Sequence, residues 1–237
     1  MGKVVVITGA SQGIGRATAV RLAQEPNVSA MALIARNARG LEGTRAAIDA
    51  AVRHDVEVEL CPYDLGDLDG IPDLVGSIRR RFGTMDVLCN IAGYAEPKAL
   101  LDTTTENVVR TYTINVMAMI VLIREAVRAM QHHPAKILNV ASTAGITSRP
   151  GWLAYASSKA AVVSLSSTLA DELAGSGIKV YTISPGRCAT ELRRILAPEE
   201  DMSTIMQPEE VADVIAKLLD DSESILDGQN IIVRKQV

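Results

Sequence analysis

Lys3-Val4-Val5-Val6-Ile7-Thr8-Gly9-Ala10-Ser11-Gln12-Gly13-Ile14-Gly15-Arg16 is the stretch whose reading decides how this chain folds. Its first half, Lys3 to Thr8, is an apolar run too short for a buried helix and rich in β-branched residues, as in a parallel strand covered on both faces. Its second half is a glycine-bearing turn that opens into a helix. Glycines at such a turn remove side chains, so the backbone and the positive end of the helix can approach a pyrophosphate closely. The spacing is GxxxGxG rather than GxGxxG. An ordinary structural turn is the competing reading, and position directly after a first strand favours the nucleotide site.

Working outward, short apolar runs recur at Ser29 to Ala35, Val56 to Pro62, Met85 to Ile91, Ala135 to Val140, Lys179 to Ile183 and Asn230 to Val233. Helical spacing fills the gaps at Gly13 to Gln24, Ala38 to Arg53, Asp67 to Phe82, Thr104 to Gln131, Tyr155 to Gly175 and Pro208 to Asp220. Strands alternating with helices of this length imply parallel βαβ crossovers. The expected fold is α/β: a single doubly wound Rossmann-type domain with a seven-stranded, mainly parallel sheet, spanning residues 1–237. No linker tract, charge block, fixed-period repeat or low-complexity segment interrupts the alternation.

Composition agrees and narrows the function classes. Hydrophobic residues make up 48% of the chain, enough for a sizeable core and no case for disorder. No apolar run reaches the roughly 20 residues of a membrane-spanning helix, and the amino terminus opens on a strand rather than a signal peptide. A cytoplasmic protein with no membrane partner is expected. A net charge of −4 gives no global reason to expect nucleic acid. Cys61, Cys89 and Cys188 lack any CxxC pair, which argues against a disulfide framework and a zinc site. His132 and His133 end a helix, where histidine suits the helix dipole; adjacent side chains do not face one site, so a solvated pair is expected and no metal. Met117, Met119 and Met130 read as core or interface packing.

Thr8-Gly9 with Gly13 and Gly15, Asn90-Ile91-Ala92-Gly93, Asn115, Ser142, Tyr155 with Lys159, and Pro185-Gly186 with Thr190 follow one another along the chain. In this order they resemble the short-chain dehydrogenase/reductase family: TGxxxGxG, an NNAG-like element, a helical asparagine, a serine ahead of YxxxK, and PGxxxT. The resemblance implies a nicotinamide dinucleotide enzyme acting on a small carbonyl or alcohol. Catalytic residues would be Asn115, Ser142, Tyr155 and Lys159. Cofactor contacts would come from Gly9, Ser11, Gln12, Gly13, Ile14, Gly15, Asp64, Leu65, Asn90, Ala92, Gly93, Tyr155, Lys159, Pro185, Gly186, Cys188 and Thr190. For Asn90, bracing adjacent strands is an equal alternative.

The chemistry asks for these residue types. Hydride transfer to a ketone builds negative charge on oxygen, which a group must polarise and protonate. A tyrosine can do both, but its ordinary pKa of about 10 is high, and a nearby ammonium favours the phenolate. Residues four apart lie on one helical face, so Tyr155 and Lys159 can converge on one cleft. By resemblance, Lys159 also contacts the nicotinamide ribose, Ser142 hydrogen-bonds the reacting oxygen and Asn115 holds a water in the proton path.

Cofactor choice is read after the second strand, where a carboxylate would bind the NAD ribose and disfavour a 2′-phosphate. Here stand Ala35-Arg36-Asn37. Arg36 can pair with phosphate through its planar fork, so NADP(H) is favoured over NAD(H). Arg149, Arg187, Arg193 and Arg194 fall on loops expected around the nicotinamide end, and Arg187, inside the PGxxxT segment and so closest in sequence to the presumed nicotinamide contact, is the first choice among them. They suit an anionic substrate such as a sugar phosphate, or are simply solvated. Trp152 either lines the substrate pocket or packs in the core. A noncatalytic NADP(H)-sensing protein is the alternative function, disfavoured because sensing needs no proton-transfer set. By resemblance a homodimer or homotetramer is expected, built on the helices carrying Asn115 and Tyr155.

Overall fold

The computed structural model describes residues 2–130 and 133–235. Seven strands form one parallel sheet: β1 (Lys3–Thr8), β2 (Val28–Ala35), β3 (Glu57–Pro62), β4 (Val87–Asn90), β5 (Ala135–Val140), β6 (Ile178–Pro185) and β7 (Asn230–Val233), in the order β3-β2-β1-β4-β5-β6-β7. All pairings are parallel, so the mainly parallel sheet expected from sequence is wholly so.

Helices cover both faces, and alternation along each strand sorts the side chains between them. Val5 and Ile7 of β1 pack toward α1 (Gly13–Ala23), α2 (Ala38–Ala51) and α8 (Pro208–Leu219). Val6 packs the other way, toward α3 (Ile71–Phe82), α5 (Ala118–Met130) and α6 (Leu153–Glu172). The same division splits Met31 and Leu33 from Ala32 and Ile34 on β2. A strand buried on both faces needs no polar residue, which is why its run is continuous.

The chain leaves β1 in one direction to build β2 and β3, then returns to lay β4 on the other side of β1. The loops therefore part at the carboxyl ends of β1 and β4, which opens a crevice there. The β4 strand is shorter than its apolar run suggests. At one end the Asp86 carboxylate accepts from Val4 N at 2.8 Å; at the other, Thr8 Oγ1 accepts from Ile91 N and Ala92 N at 3.0 and 3.1 Å.

The long helix expected from Thr104 onward is broken. It runs as α4 (Thr105–Tyr112), a π-turn at Thr113–Met117 and then α5, and its expected end, Gln131, lies outside the described residues. A short helix, α7 (Glu191–Leu196), stands in the segment after Thr190. Met119 and Met130 are buried, whereas Met117 is exposed. His132 lies outside the described residues. His133 is not solvated as expected: its Nε2 lies 3.0 Å from Thr84 Oγ1, 3.1 Å from Met85 O and 3.3 Å from Asp86 Oδ1. Among the described residues no group of His, Cys, Asp and Glu gathers with metal-binding geometry, and no helix is long and apolar enough to cross a membrane. The three cysteines are free thiols.

Candidate active site

The crevice is a cleft of about 890 Å³. Its floor is the turn after β1. Gly9 has φ +71, and a Cβ there would meet Ala92 N at 2.8 Å; a Cβ on Gly15 would lie 2.1 Å from Gly9 O. Only glycine lets this turn fold on itself and bring β1 against the Asn90–Gly93 segment. Gln12 at the amino end of α1 makes no side-chain cap, and the first turn holds no acidic residue. The first N–H groups of α1 therefore face the cleft without a protein partner from the cap, as a pyrophosphate requires. Arg16 ties the turn to α2, donating to Ser11 O at 2.6 Å, Gly40 O at 3.2 Å and Thr44 Oγ1 at 3.1 Å. These features fit a dinucleotide.

Most residues expected at the site line this one cleft. Gly9, Ser11, Gln12, Gly13, Ile14 and Gly15 supply the floor; Arg36, Asp64 and Leu65 one end; Ala92 and Gly93 the middle; Pro185, Gly186, Cys188 and Thr190 the opposite wall. Arg36 is exposed and makes no ion pair among the described residues. Cys188 is buried, and its thiol is pushed up to about 12 by that burial, so it is an inert wall residue. Asn90 does not line the cleft: its Nδ2 donates to Asn139 Oδ1 at 2.8 Å across β4 and β5, and Asn139 Nδ2 donates to Ser166 Oγ at 3.0 Å. Its side-chain amide thus braces β4 against β5, the alternative that the sequence offers for this residue.

At the far end Ser142, Tyr155 and Lys159 come together from the end of β5 and from α6. Lys159 is buried, and its Nζ donates to Val140 O at 2.8 Å. Burial holds the ammonium down to about 8. Nζ stands 6.0 Å from the centre of the Tyr155 ring. Burial raises the Tyr155 phenol above its ordinary value, opposed by the Ser142 hydroxyl beside it and by the Arg193 charge. The Arg193 charge joins Lys159, the cation expected from the YxxxK pair, at this tyrosine.

Asn115 sits in the π-turn with its side chain fully engaged. Its Oδ1 accepts from Tyr94 N at 2.7 Å, and Nδ2 donates to Tyr94 O and to Ser158 Oγ, each at 2.9 Å. It locks the turn that follows Gly93. A Cβ on Gly93 would lie 3.7 Å from both Asn115 Oδ1 and Lys159 Nζ, so glycine leaves a polar gap between them.

The wall above Tyr155 is apolar, built from Ala95, Ala144, Trp152, Leu192 and Leu196. The Trp152 ring meets Tyr155 edge-on, with centroids 6.2 Å apart. Sequence reasoning missed Glu200, which enters from an irregular segment and takes up two of the expected substrate arginines. Arg193 donates to it from Nε and, at 2.9 Å, from Nη2; Arg187 donates at 3.3 Å. Arg194 lies outside this cleft and pairs with Glu191 at 3.4 Å, because adjacent positions on α7 project to different sides. It leaves the substrate set. Arg149 lines the mouth, exposed and without an ion pair among the described residues.

A doubly wound sheet, an uncapped glycine turn at its crevice and a tyrosine–lysine pair in the same cleft define a dinucleotide-dependent oxidoreductase of Rossmann type. The family model described as short chain dehydrogenase matches residues 3–201. The 3-oxoacyl-(acyl-carrier-protein) reductase FabG of Thermotoga maritima is 34% identical, over 96% of this chain and 94% of its own length. Among solved structures, a short-chain dehydrogenase from Burkholderia cenocepacia in complex with NADP is 26% identical with a TM-score of 0.86, covering 98% of this chain and 96% of that one. An NAD⁺-bound xylitol dehydrogenase is 29% identical with a TM-score of 0.83, covering 98% of both. The chain belongs to the short-chain dehydrogenase family and is an oxidoreductase.

Proposed function

We propose that this protein interconverts a carbonyl compound and a secondary alcohol, with NADP(H) preferred over NAD(H). The observation that carries the reading is the convergence of Ser142, Tyr155 and Lys159 at one end of a glycine-floored cleft whose other end holds Arg36. Bound NADPH supplies the hydride. Tyr155 delivers the proton to the developing alkoxide, and Ser142 hydrogen-bonds that oxygen. The buried Lys159 ammonium holds the ribose and stands behind the tyrosine. Asn115 keeps the Gly93–Tyr94 turn and the polar gap beside Lys159 in place. Arg36, exposed and unpaired among the described residues, takes the 2′-phosphate; a relative that binds NADP and another that binds NAD⁺ leave this choice to the residues themselves.

The substrate's body lies on the apolar wall of Trp152, Leu192 and Leu196, with an acidic group directed to Arg149 at the mouth. Arg187, which the sequence favours for this role, shares Glu200 with Arg193 and is partly neutralised. The similar reductase acts on a 3-oxoacyl group, which also joins a ketone to an apolar chain. Val109, Met117, Ile120 and Leu153 expose apolar side chains on α4, the π-turn, α5 and α6, which supports self-association through these helices.

The test is a panel of ketones, among them 3-oxo acids, their thioesters, phosphorylated ketoses and neutral analogues, followed by nicotinamide absorbance. Turnover with NADPH is the expected outcome. Tight NADPH binding with no turnover across the panel would favour the sensing alternative instead.

A further inference from the structure

Four side chains form a chain of contacts from the edge of the cleft to the tyrosine. The Glu200 carboxylate accepts from Nε and Nη2 of Arg193, a two-pronged contact that fixes the guanidinium plane. The Arg193 Cζ lies 5.8 Å from the Trp152 ring centre, and Trp152 meets Tyr155 edge-on. This clamp is sheltered: the Arg193 and Glu200 side chains are 17% and 15% exposed, against 52% for Arg187. A sheltered cation on an aromatic face is attracted more strongly than a solvated one. No role in the reaction proposed above uses Arg193 or Glu200.

We propose that Arg193 is a positioning residue for the reaction: clamped by Glu200 and stacked on Trp152, it holds that ring and a positive charge against Tyr155. The inference rests on the reading of Tyr155 as the proton-transfer group. The charged and hydrogen-bonding side chains that share the cleft with that tyrosine include Lys159 on its own helix, Ser142 and Arg149 from the segment after β5, Arg187 after β6, Arg193 and the Arg194-paired Glu191 on α7, and Glu200 beyond it. Lys159 Nζ stands 6.0 Å from the ring, Arg187 is half exposed to solvent, and the sheltered Arg193 is the cation outside the tyrosine's own helix whose charge bears on the phenol. In turn Arg193 holds the Glu200 carboxyl below the usual range. The two members of the clamp must therefore act on Tyr155 with opposite signs. Removing Arg193 deletes a positive charge and bares a negative one, which disfavours the phenolate; neutralising Glu200 leaves Arg193 uncompensated, which favours it.

Trp152 is the only tryptophan in the chain, which allows a test without a substrate. A phenolate absorbs where tryptophan emits and quenches it by energy transfer, so alkaline quenching of Trp152 reports ionisation of its neighbour. The part of the quenching that disappears in Tyr155→Phe belongs to Tyr155. At a fixed alkaline pH that part is expected to rank Glu200→Gln above wild type and wild type above Arg193→Met. A half-unit displacement in either direction changes the phenolate fraction about threefold. Equal Tyr155-dependent quenching in the three proteins, the reverse order, or none in any of them would overturn the proposal. A Tyr155→Phe protein that keeps NADPH-linked turnover would instead remove the reading of Tyr155 as the acid while leaving the fluorescence order intact.

Discussion

Lys159 donates its ammonium to the main-chain carbonyl of Val140 at 2.8 Å, at the carboxyl end of β5 and out of contact with water. The pairing positions a charge in the cleft, and burial makes the charge costly. Folded, the group titrates near about 8, below its ordinary 10.5. A depressed lysine pKa penalises the folded state at low pH, where both states carry the proton, and the penalty vanishes as pH rises through 10.5. Relative to Lys159→Met, wild type should therefore gain stability between pH 8 and 10.5, by up to about 3 kcal/mol. Urea unfolding of both proteins across this window checks it. The difference between them cancels the contribution of tyrosines and cysteines remote from Lys159, and making both proteins in a Tyr155→Phe background removes that of the neighbouring phenol. A difference constant with pH would place the charge elsewhere.

Tyr155→Phe should lower NADPH-linked turnover by about a hundredfold to ten-thousandfold, the contribution of one positioned proton donor. NADPH affinity should stay close to wild type, since the glycine turn and Arg36 are untouched. Single-turnover rates together with a cofactor titration separate the two effects.

Arg36→Ala should weaken NADPH by roughly ten- to a hundredfold, on the order of 1.5 to 3 kcal/mol for a charge-assisted contact, and leave NADH nearly unchanged. Binding titrations with both cofactors at fixed ionic strength measure this. If wild type binds the two equally, discrimination lies elsewhere.

Arg149→Ala should cost about tenfold or more in kcat/KM for an acidic ketone, and little for its neutral analogue. Arg187→Ala should cost less, because that guanidinium already leans on Glu200. Added salt should narrow the gap between acidic and neutral substrates, as expected for a contact at an exposed mouth. A neutral ketone reduced best, with no effect of salt or of Arg149→Ala, would return these arginines to the solvent.

The alternation of strands and helices, the glycine turn and the shared face of Tyr155 and Lys159 were determined by the sequence alone. Each depends on neighbours within a turn or two of chain: runs such as Val4 to Ile7 that suit a strand buried on both faces, glycines that suit a tight approach, and a four-residue spacing. The tertiary structure decided what lies between distant residues. It set the π-turn at Asn115, whose side chain is held by Tyr94 and Ser158, where helical periodicity alone gave one unbroken helix. It turned Lys159 to Val140, left Asn90 to Asn139, and brought Glu200 from an irregular segment onto Arg187 and Arg193 while Arg194 faced away. A hydrogen bond or ion pair depends on where two side chains end in space. Local pattern carries no record of that until the sheet has brought the loops to one edge.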